Sequence, residues 1–151
     1  MARQFPLQSL LEHARHRMDA AERLLRMLKR REDAALVKLE ELRGYKGEYQ
    51  RRLAGDGARG LEIYLLRDFH VFLGKLDIAI RDQAAEVDKI RGQWGAAQEN
   101  WFALRRKVKA FETLAQRHQS RELAKEERLD QRTNDEAALL RHLKRATTHL
   151  T

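Results

Sequence analysis

The stretch LAGDGARGL, residues 53–61, separates two long segments that both have the residue pattern of helices. It contains three of the chain's eight glycines and an aspartate. Glycine and aspartate favour the left-handed and irregular backbone that a tight reversal of the chain requires. The stretch therefore predicts a turn over residues 54–60, with helix one over about residues 7–53 and helix two over about residues 61–145.

Outward from this turn, apolar residues recur at spacings of three and four, with two consecutive fours at Phe72, Leu76 and Ile80, which is the heptad pattern of a coiled-coil seam with a stutter. In the first segment twelve of fourteen seam positions are apolar: Leu7, Leu11, Ala14, Met18, Ala21, Leu25, Leu28, Glu32, Ala35, Leu39, Leu42, Lys46, Tyr49 and Leu53. In the second, fourteen of fifteen are apolar: Leu61, Leu65, Phe69, Phe72, Leu76, Ile80, Gln83, Val87, Ile90, Trp94, Ala97, Trp101, Leu104, Val108 and Phe111. The pattern predicts an all-α fold, a long antiparallel two-helix coiled-coil hairpin in a single domain over residues 1–151.

An antiparallel hairpin pairs residues whose numbers have a constant sum, and a sum of 114 or 115 matches large seam residues with small ones. The expected pairs are Leu53 with Leu61, Leu42 with Phe72, Leu28 with Val87, Leu25 with Ile90, Leu11 with Leu104, Trp94 with Ala21, Trp101 with Ala14, Ala97 with Met18, and Glu32 with Gln83. In this register residues 112–151 have no partner on helix one, so we expect an unpaired C-terminal overhang.

The composition excludes several classes of protein. The chain has 151 residues, 31 Lys and Arg against 23 Asp and Glu, a formal net charge of +8 and no cysteine. It therefore has no disulfide and no cysteine-based metal site. It also lacks an apolar run of about 18 residues and the features of a signal peptide, so the default expectation is a cytosolic protein. The basic excess is spread along the chain, which indicates nucleic-acid binding only weakly.

No motif of known catalytic chemistry occurs in the sequence. The patterns GxxxxGK[ST], HExxH, GxSxG and GxGxxG are absent. His13 and His16 are the only histidines at helical spacing, and two histidines without a third ligand make a poor zinc site. We therefore expect a non-enzyme without metal, cofactor or small-molecule substrate.

Two surfaces are candidates for partner binding. Five aromatic residues crowd near the turn, more than one side of a two-helix seam can cover: Tyr45, Tyr49, Tyr64, Phe69 and Phe72. An exposed aromatic surface favours a partner site, and the alternative is simple packing of the tip. A basic group gathers near the termini: Arg3, Arg15, Arg17, Arg105, Arg106, Lys107 and Lys109. It suits an acidic socket on a partner, and the alternative is ordinary solvated charge.

Several segments, taken in order, resemble the FliJ family of flagellar type III export proteins. They are FPLQSLLEHARHRMDAAERLL (5–25), YKGEYQRRL (45–53), LRDFHVFLGKLDIAIRDQ (66–83), the segment with Trp94 and Trp101, KAFETLAQRH (109–118) and EERLDQRTNDE (126–136). The resemblance implies an antiparallel coiled coil similar to the central stalk of rotary ATPases. Such a protein would insert in the hexameric flagellar export ATPase, promote its assembly and activity, couple it to the membrane export gate and recycle export chaperones. It would be needed for flagellum assembly, motility and chemotaxis.

The resemblance also implies a location and binding residues. The protein would be cytoplasmic and peripherally associated with the inner membrane at the flagellar base. Residues carried over as export-gate-binding are Leu42, Tyr45, Tyr49, Phe72, Leu76 and Ala79, flanked by Lys38 and Gln83. The ATPase would bind the terminal basic residues Arg15, Arg17, Arg105, Arg106, Lys107 and Lys109. Since Leu42, Phe72 and Leu76 are also seam positions, Tyr45 and Ala79 are the better candidates for direct contact.

Three alternatives remain open from the residues. A basic coiled-coil protein that binds nucleic acid would lose affinity steeply with salt. A homo-oligomeric coiled coil would pair the same helices between chains, as would a domain-swapped dimer. The equivalent stalk of a virulence type III secretion system would differ in the ATPase that it activates. The pairing across the turn favours a hairpin within one chain, and the resemblance favours the export stalk, which binds no nucleic acid.

Overall fold

The computed structural model describes residues 3–57, 60 and 62–149, and two long helices account for nearly all of them. Helix α1 spans Gln8–Gly57 with 50 residues, and helix α2 spans Ile63–His149 with 87 residues. The two helices pack against each other, and no strand occurs within the described ranges. The predicted all-α helical hairpin is confirmed. Neither helix includes a stretch apolar enough, over a sufficient length, to cross a membrane.

The ends of α1 follow from its flanking residues. Pro6, with its fixed φ, lies in the turn that precedes the helix, where the Gln8 amide donates to the Phe5 carbonyl at 3.1 Å. At the other end α1 continues to Gly57, so the first half of the predicted turn is helical. Gly60 has a φ of 80°, the left-handed backbone that glycine adopts without strain. Three positions of the predicted turn and second segment, Ala58, Arg59 and Leu61, lie outside the described residues.

The predicted seam is the buried side of both helices. All fourteen seam positions of the first segment, Leu7 before α1 and thirteen on it, are buried or half-buried, including the two polar ones, Glu32 and Lys46. On α2 the described seam positions are also buried or half-buried, with two exceptions near the turn, Leu65 and Phe72. The heptad spacing therefore identifies the packed face of each helix residue by residue.

The register of the hairpin differs from the predicted one by about one heptad. The rings of Tyr49 and Phe72, whose residue numbers sum to 121, contact each other. The sum is 123 for three further cross-helix contacts: Glu32 with Arg91, Glu22 with Trp101, and Lys46 with Asp77. The predicted sum of 114 or 115 is wrong because α1 continues beyond residue 53 and moves the centre of the reversal. A shift of one heptad again brings apolar seam positions opposite one another, so the apolar pattern fits both registers.

In the observed register, residues near the centre of the hairpin have partners that differ from the predicted ones. Val87 shares a buried cluster with Ala35 and Leu39 instead of pairing with Leu28. Glu32 forms an ion pair with Arg91 instead of facing Gln83. The expected pair of Trp101 with Ala14 is likewise replaced, since the indole Nε1 of Trp101 donates to the carboxylate of Glu22 at 3.3 Å.

Contacts divide the chain into two compact units. The unit Asp19–Phe102 is built around a buried cluster of Ala35, Leu39, Val87 and Ile90. Beside this cluster, Glu32 accepts from Arg91 Nε at 3.2 Å and lies 3.6 Å from Lys29 Nζ. Gln83 Nε2 donates to the main-chain carbonyl of Ala35 at 2.9 Å. The apolar cluster is thus bordered by polar groups whose hydrogen bonds are made, which limits the cost of their burial.

The other unit combines Met1–Met18 with Ala103–Thr151. Its core contains Leu11, Ala14 and Val108, with Met18, Phe111 and Ala115 packed against them. Contacts with the N-terminal residues continue as far as Glu122, beyond the point where the overhang is expected to begin. Pairing extends further because the segment before α1 lies along α2. Between Leu123 and His149 nearly every side chain is exposed.

Candidate functional site

The six residues carried over as export-gate-binding lie together in the unit Asp19–Phe102. The ring centroids of Tyr49 and Phe72 are 4.5 Å apart, and Phe69 lies at 6.0 Å from Tyr49 on the same side. The register that pairs Tyr49 with Phe72 brings Tyr45 level with Leu76 and Leu42 level with Ala79. These three successive layers are the aromatic surface: Leu42, Tyr45, Tyr49, Phe72, Leu76 and Ala79.

Exposure separates the members of the aromatic surface. Tyr45 is 54% exposed and Phe72 is 40% exposed, while Leu76 is buried at 8%. Leu42, Tyr49 and Ala79 are half-buried. The exposure expected for this aromatic cluster is therefore present, and Tyr45 has the largest accessible fraction of the six. Phe72 is more exposed than its seam position predicts, although its ring contacts that of Tyr49.

Polar and cation–π contacts lie next to the aromatic surface. Lys46 and Asp77 form an ion pair at 2.6 Å between the two helices. Arg52 lies 5.9 Å from the centre of the Tyr49 ring and also pairs with Glu48 at 3.1 Å. A cation over an aromatic face is attracted by its quadrupole. The position and orientation of Tyr49 are thus set by neighbours on both helices.

The two flanking residues carried over with this set differ in exposure. Lys38 is exposed, and Gln83 is half-buried. The side-chain amide of Gln83 already donates to the carbonyl of Ala35, which ties it to the packing between the helices. Lys38 is accordingly the more accessible of the two.

The six residues carried over as ATPase-binding lie together in the other unit. All six are exposed, and Arg15 pairs with Glu112 at 3.3 Å with 47% of each side chain exposed. Buried Leu104 and Val108 alternate with the basic positions along α2. This spacing directs the apolar residues toward α1 and leaves the charges in solvent. These exposed cations are the basic surface: Arg15, Arg17, Arg105, Arg106, Lys107 and Lys109.

A third arrangement, at the start of the chain, is absent from the sequence-based expectations. The main-chain amide of Arg3 donates to Glu122 Oε2 at 3.5 Å, and its carbonyl lies 2.9 Å from His118 Nε2. The ring of Phe5 lies 5.6 Å from that of His118 at an interplanar angle of 50°. The signal that could reveal it is the continued spacing of Ala115, His118 and Glu122 after Phe111. Two of those residues are polar, so the apolar stripe of the sequence ends at Ala115.

Glu122 is one of two buried charged residues in the described chain, with an exposure of 8%. Burial raises the pKa of its carboxyl group, but the Arg3 amide and the positive charges of Lys125 and His118 outweigh that effect. The pKa of Glu122 therefore lies below its usual value of 4.5. The carboxylate is ionised at neutral pH and serves as an acceptor for the N-terminal segment.

No group of three or more histidine, cysteine, aspartate or glutamate side chains could hold a metal ion in the part of the chain that the structure describes. The described clefts are open grooves beside the helices. The basic surface and part of the aromatic surface are exposed to solvent.

Comparison with known proteins confirms the family resemblance of the sequence. Residues 3–147 match the family described as Flagellar FliJ protein. The Flagellar FliJ proteins of Salmonella typhi and Escherichia coli (strain K12) are each 28% identical over 138 residues, which cover 91% of this chain and 94% of theirs. No solved structure matches the chain. Since the family match includes nearly the whole of both helices, the chain belongs to the flagellar FliJ protein family.

Proposed function

We propose that this chain is a non-catalytic, stalk-like component of the flagellar export apparatus. It inserts in the hexameric export ATPase, promotes the assembly and activity of the ring, couples it to the membrane export gate and recycles export chaperones. It acts in the cytoplasm and associates peripherally with the inner membrane at the flagellar base. Flagellum assembly, motility and chemotaxis then depend on it. The observation that carries this proposal is the family match over residues 3–147, which spans both helices.

The basic surface supports contact with the ATPase. Its cations extend into solvent from a packed pair of helices, so they can approach an acidic lining without unfolding the hairpin. Attraction between complementary surfaces increases association rates and orients the partners. A stiff hairpin held asymmetrically within a ring favours some subunit interfaces over others, and the hairpin itself catalyses nothing.

The aromatic surface supports contact with the export gate. Tyr45 is more than half exposed while its neighbours Tyr49 and Leu76 are held in the packing, so a rigid support presents an accessible ring. Exposed aromatic residues on a rigid support are frequent binding hot spots, because little side-chain entropy is lost when they are covered. The partner of this surface is the cytoplasmic domain of the gate.

The ATPase contact is tested by titrating the protein into the cognate export ATPase while the hydrolysis rate and the hexamer fraction are followed. We expect stimulation that saturates near one hairpin per ring. Reversal of four basic-surface charges should abolish it: Arg17→Glu, Arg106→Glu, Lys107→Glu and Lys109→Glu. A matched control reverses four exposed cations of the other unit and lowers the net charge equally: Arg23→Glu, Arg26→Glu, Lys75→Glu and Arg81→Glu.

Equal loss of stimulation in both variants would show that net charge matters and the basic surface does not. A parallel assay with a random DNA duplex covers the nucleic-acid alternative. Salt-sensitive DNA binding without any effect on the ATPase would refute the stalk proposal. Activation of a virulence secretion ATPase in place of the flagellar one would assign the protein to the other system.

The gate contact is tested with Tyr45→Ala, which removes the most exposed ring of the aromatic surface. We expect the dissociation constant for the cytoplasmic domain of the gate to rise about tenfold or more, since truncation of a central aromatic contact costs over 1 kcal/mol. Val37→Ala is the matched control because Val37 lies on the same helix and is 55% exposed. Unchanged gate binding by Tyr45→Ala, with helicity intact by circular dichroism, would contradict this part of the proposal.

A further inference from the structure

The N-terminal segment of the chain lies along α2, and two side chains of α2 contact its main chain at Arg3. Residues 3–5 have no regular secondary structure, and Pro6 disfavours a helical conformation for the residue before it. The amide and the carbonyl of Arg3 both meet α2, through Glu122 and His118. These two α2 residues are four apart and so lie on one face of the helix. Both polar groups of a single residue are therefore engaged by one helix turn.

This mode of holding does not depend on the identity of the residue that is held. Main-chain contacts provide affinity for any extended peptide, and pockets for side chains provide the specificity. Here the specific contact is that of the Phe5 ring with the His118 ring at 5.6 Å. The recognised pattern is therefore an extended segment with an aromatic residue two positions after the one whose main chain is bound.

The N-terminal segment covers this face of α2 only partly. An open cleft of about 320 Å³ remains between it and α2, with Ala115, Gln119 and Leu123 among the lining residues. Leu123 is 53% exposed at this cleft, and the hydrogen bond from Arg3 to Glu122 is long at 3.5 Å. A ligand that makes the same main-chain contacts and also covers Leu123 would bury more apolar surface than the segment does.

We infer that this face of α2 is a binding site for an extended peptide with an aromatic residue, and that the chain's own residues 3–5 occupy it as an exchangeable cover. A partner segment with the same pattern competes with the cover. Because the cover is tethered to the site, its effective concentration is in the millimolar range, and a free peptide binds weakly until the cover is loosened. The site is independent of the basic and aromatic surfaces.

The test uses the full-length protein and a synthetic peptide of residues 3–8, RQFPLQ, in an NMR titration that follows the amide signals of α2. Phe5→Ala loosens the cover, so we expect this variant to bind the peptide at least about fivefold more tightly than the unmodified protein. The peptide RQAPLQ should bind at least about fivefold more weakly than RQFPLQ. Signals of Ala115, Gln119 and Leu123 should shift, while those of residues around Val87 should not.

Variants of Glu122, which accepts the Arg3 amide, separate this site from a merely structural role. In the Phe5→Ala background, Glu122→Ala should weaken peptide binding about tenfold because the acceptor for the peptide amide is lost. Glu122→Gln retains an acceptor oxygen and should restore most of the affinity. Phe102→Ala removes a partly exposed aromatic residue elsewhere on α2 and is the control, with no expected effect.

Three results would overturn the inference. The first is the absence of peptide binding by Phe5→Ala up to millimolar concentration with its helicity intact. The second is equal binding of RQFPLQ and RQAPLQ, which would mean that no aromatic side chain is recognised. The third is binding that Glu122→Ala leaves unchanged, which would place the peptide elsewhere on the surface.

Discussion

The buried cluster of Ala35, Leu39, Val87 and Ile90 and the aromatic layer of Tyr49 and Phe72 obey the same heptad spacing, yet they differ in exposure. Every member of the cluster is at most 8% exposed, whereas Phe72 retains 40% of its surface. The cluster includes a small residue, Ala35, beside which the helices can approach closely and enclose the larger side chains. In the aromatic layer, by contrast, two large rings contact each other. Seam position alone therefore does not determine burial, because the sizes of facing residues decide whether a two-helix interface closes.

The largest expected effect is in the buried cluster. Leu39→Ala should lower the free energy of unfolding by about 3 kcal/mol, because it removes a side chain that is 5% exposed and leaves a cavity. Urea unfolding followed by circular dichroism measures the change. Val37→Ala, at a position that is 55% exposed, should change the stability by less than about 0.5 kcal/mol. Similar values for the two variants would mean that this cluster does not hold the hairpin together.

Substitutions in the aromatic surface should cause an intermediate loss of unfolding free energy, and this loss should differ between its two tyrosines. Tyr49→Ala should cost about 1.5 kcal/mol, since the ring is half-buried and contacts both Phe69 and Phe72. Tyr45→Ala should cost less than about 0.5 kcal/mol, because its ring is mostly exposed. The same urea experiment measures both. A loss for Tyr45→Ala as large as that for Tyr49→Ala would show that weakened gate binding reflects unfolding of the aromatic surface and not a lost contact.

A smaller effect is expected for the polar contact beside the buried cluster. A double-mutant cycle with Glu32→Gln and Arg91→Gln should give a coupling energy of about 0.5–1 kcal/mol, limited by the 54% exposure of the Arg91 side chain. High salt should reduce this coupling, whereas it should not reduce the loss caused by Leu39→Ala. A coupling energy near zero would show that this ion pair does not help to stabilise the observed register.

The smallest effect is expected outside both of these regions, at Glu122, and it depends on pH. Because the pKa of Glu122 is lowered in the folded chain, the ionised carboxylate contributes stability above the usual value of 4.5. That contribution is lost as the pH falls from 4.5 through the lowered pKa. The difference in stability between the unmodified protein and Glu122→Gln should therefore be largest above pH 4.5 and shrink as the pH falls from there through the lowered pKa. A difference that stays constant with pH would show that the carboxylate charge contributes nothing to holding the N-terminal segment.

The heptad spacing alone predicts the helices and their packed faces, because it is a local property of each segment. Glu32 and Lys46 are found on the packed side of α1 although they are polar, as their positions in the heptad require. The family of the chain is also correctly indicated by the ordered segments. The partner contacts of the aromatic and basic surfaces remain predictions.

The register and the end of pairing could not be predicted in the same way. A shift of one heptad preserves the apolar match, so only the length of the turn and the polar contacts of Glu32 and Gln83 distinguish the alternatives. The contact of Phe5 with His118 is missed because it joins residues over a hundred positions apart and uses a polar helix face. Heptad spacing identifies apolar stripes, and it cannot reveal contacts in which polar side chains bind the main chain of a distant segment.

The near-equivalence of registers one heptad apart has a consequence for the folding pathway. We expect a hairpin that closes one heptad away from the native register to place apolar seam residues opposite one another as well. Because the two helices would have to separate before they paired again, we expect such a misaligned hairpin to convert slowly to the native one. The bonds from Arg91 to Glu32 and from Gln83 to the carbonyl of Ala35 belong to the native alignment, so we expect them to favour it over the shifted one.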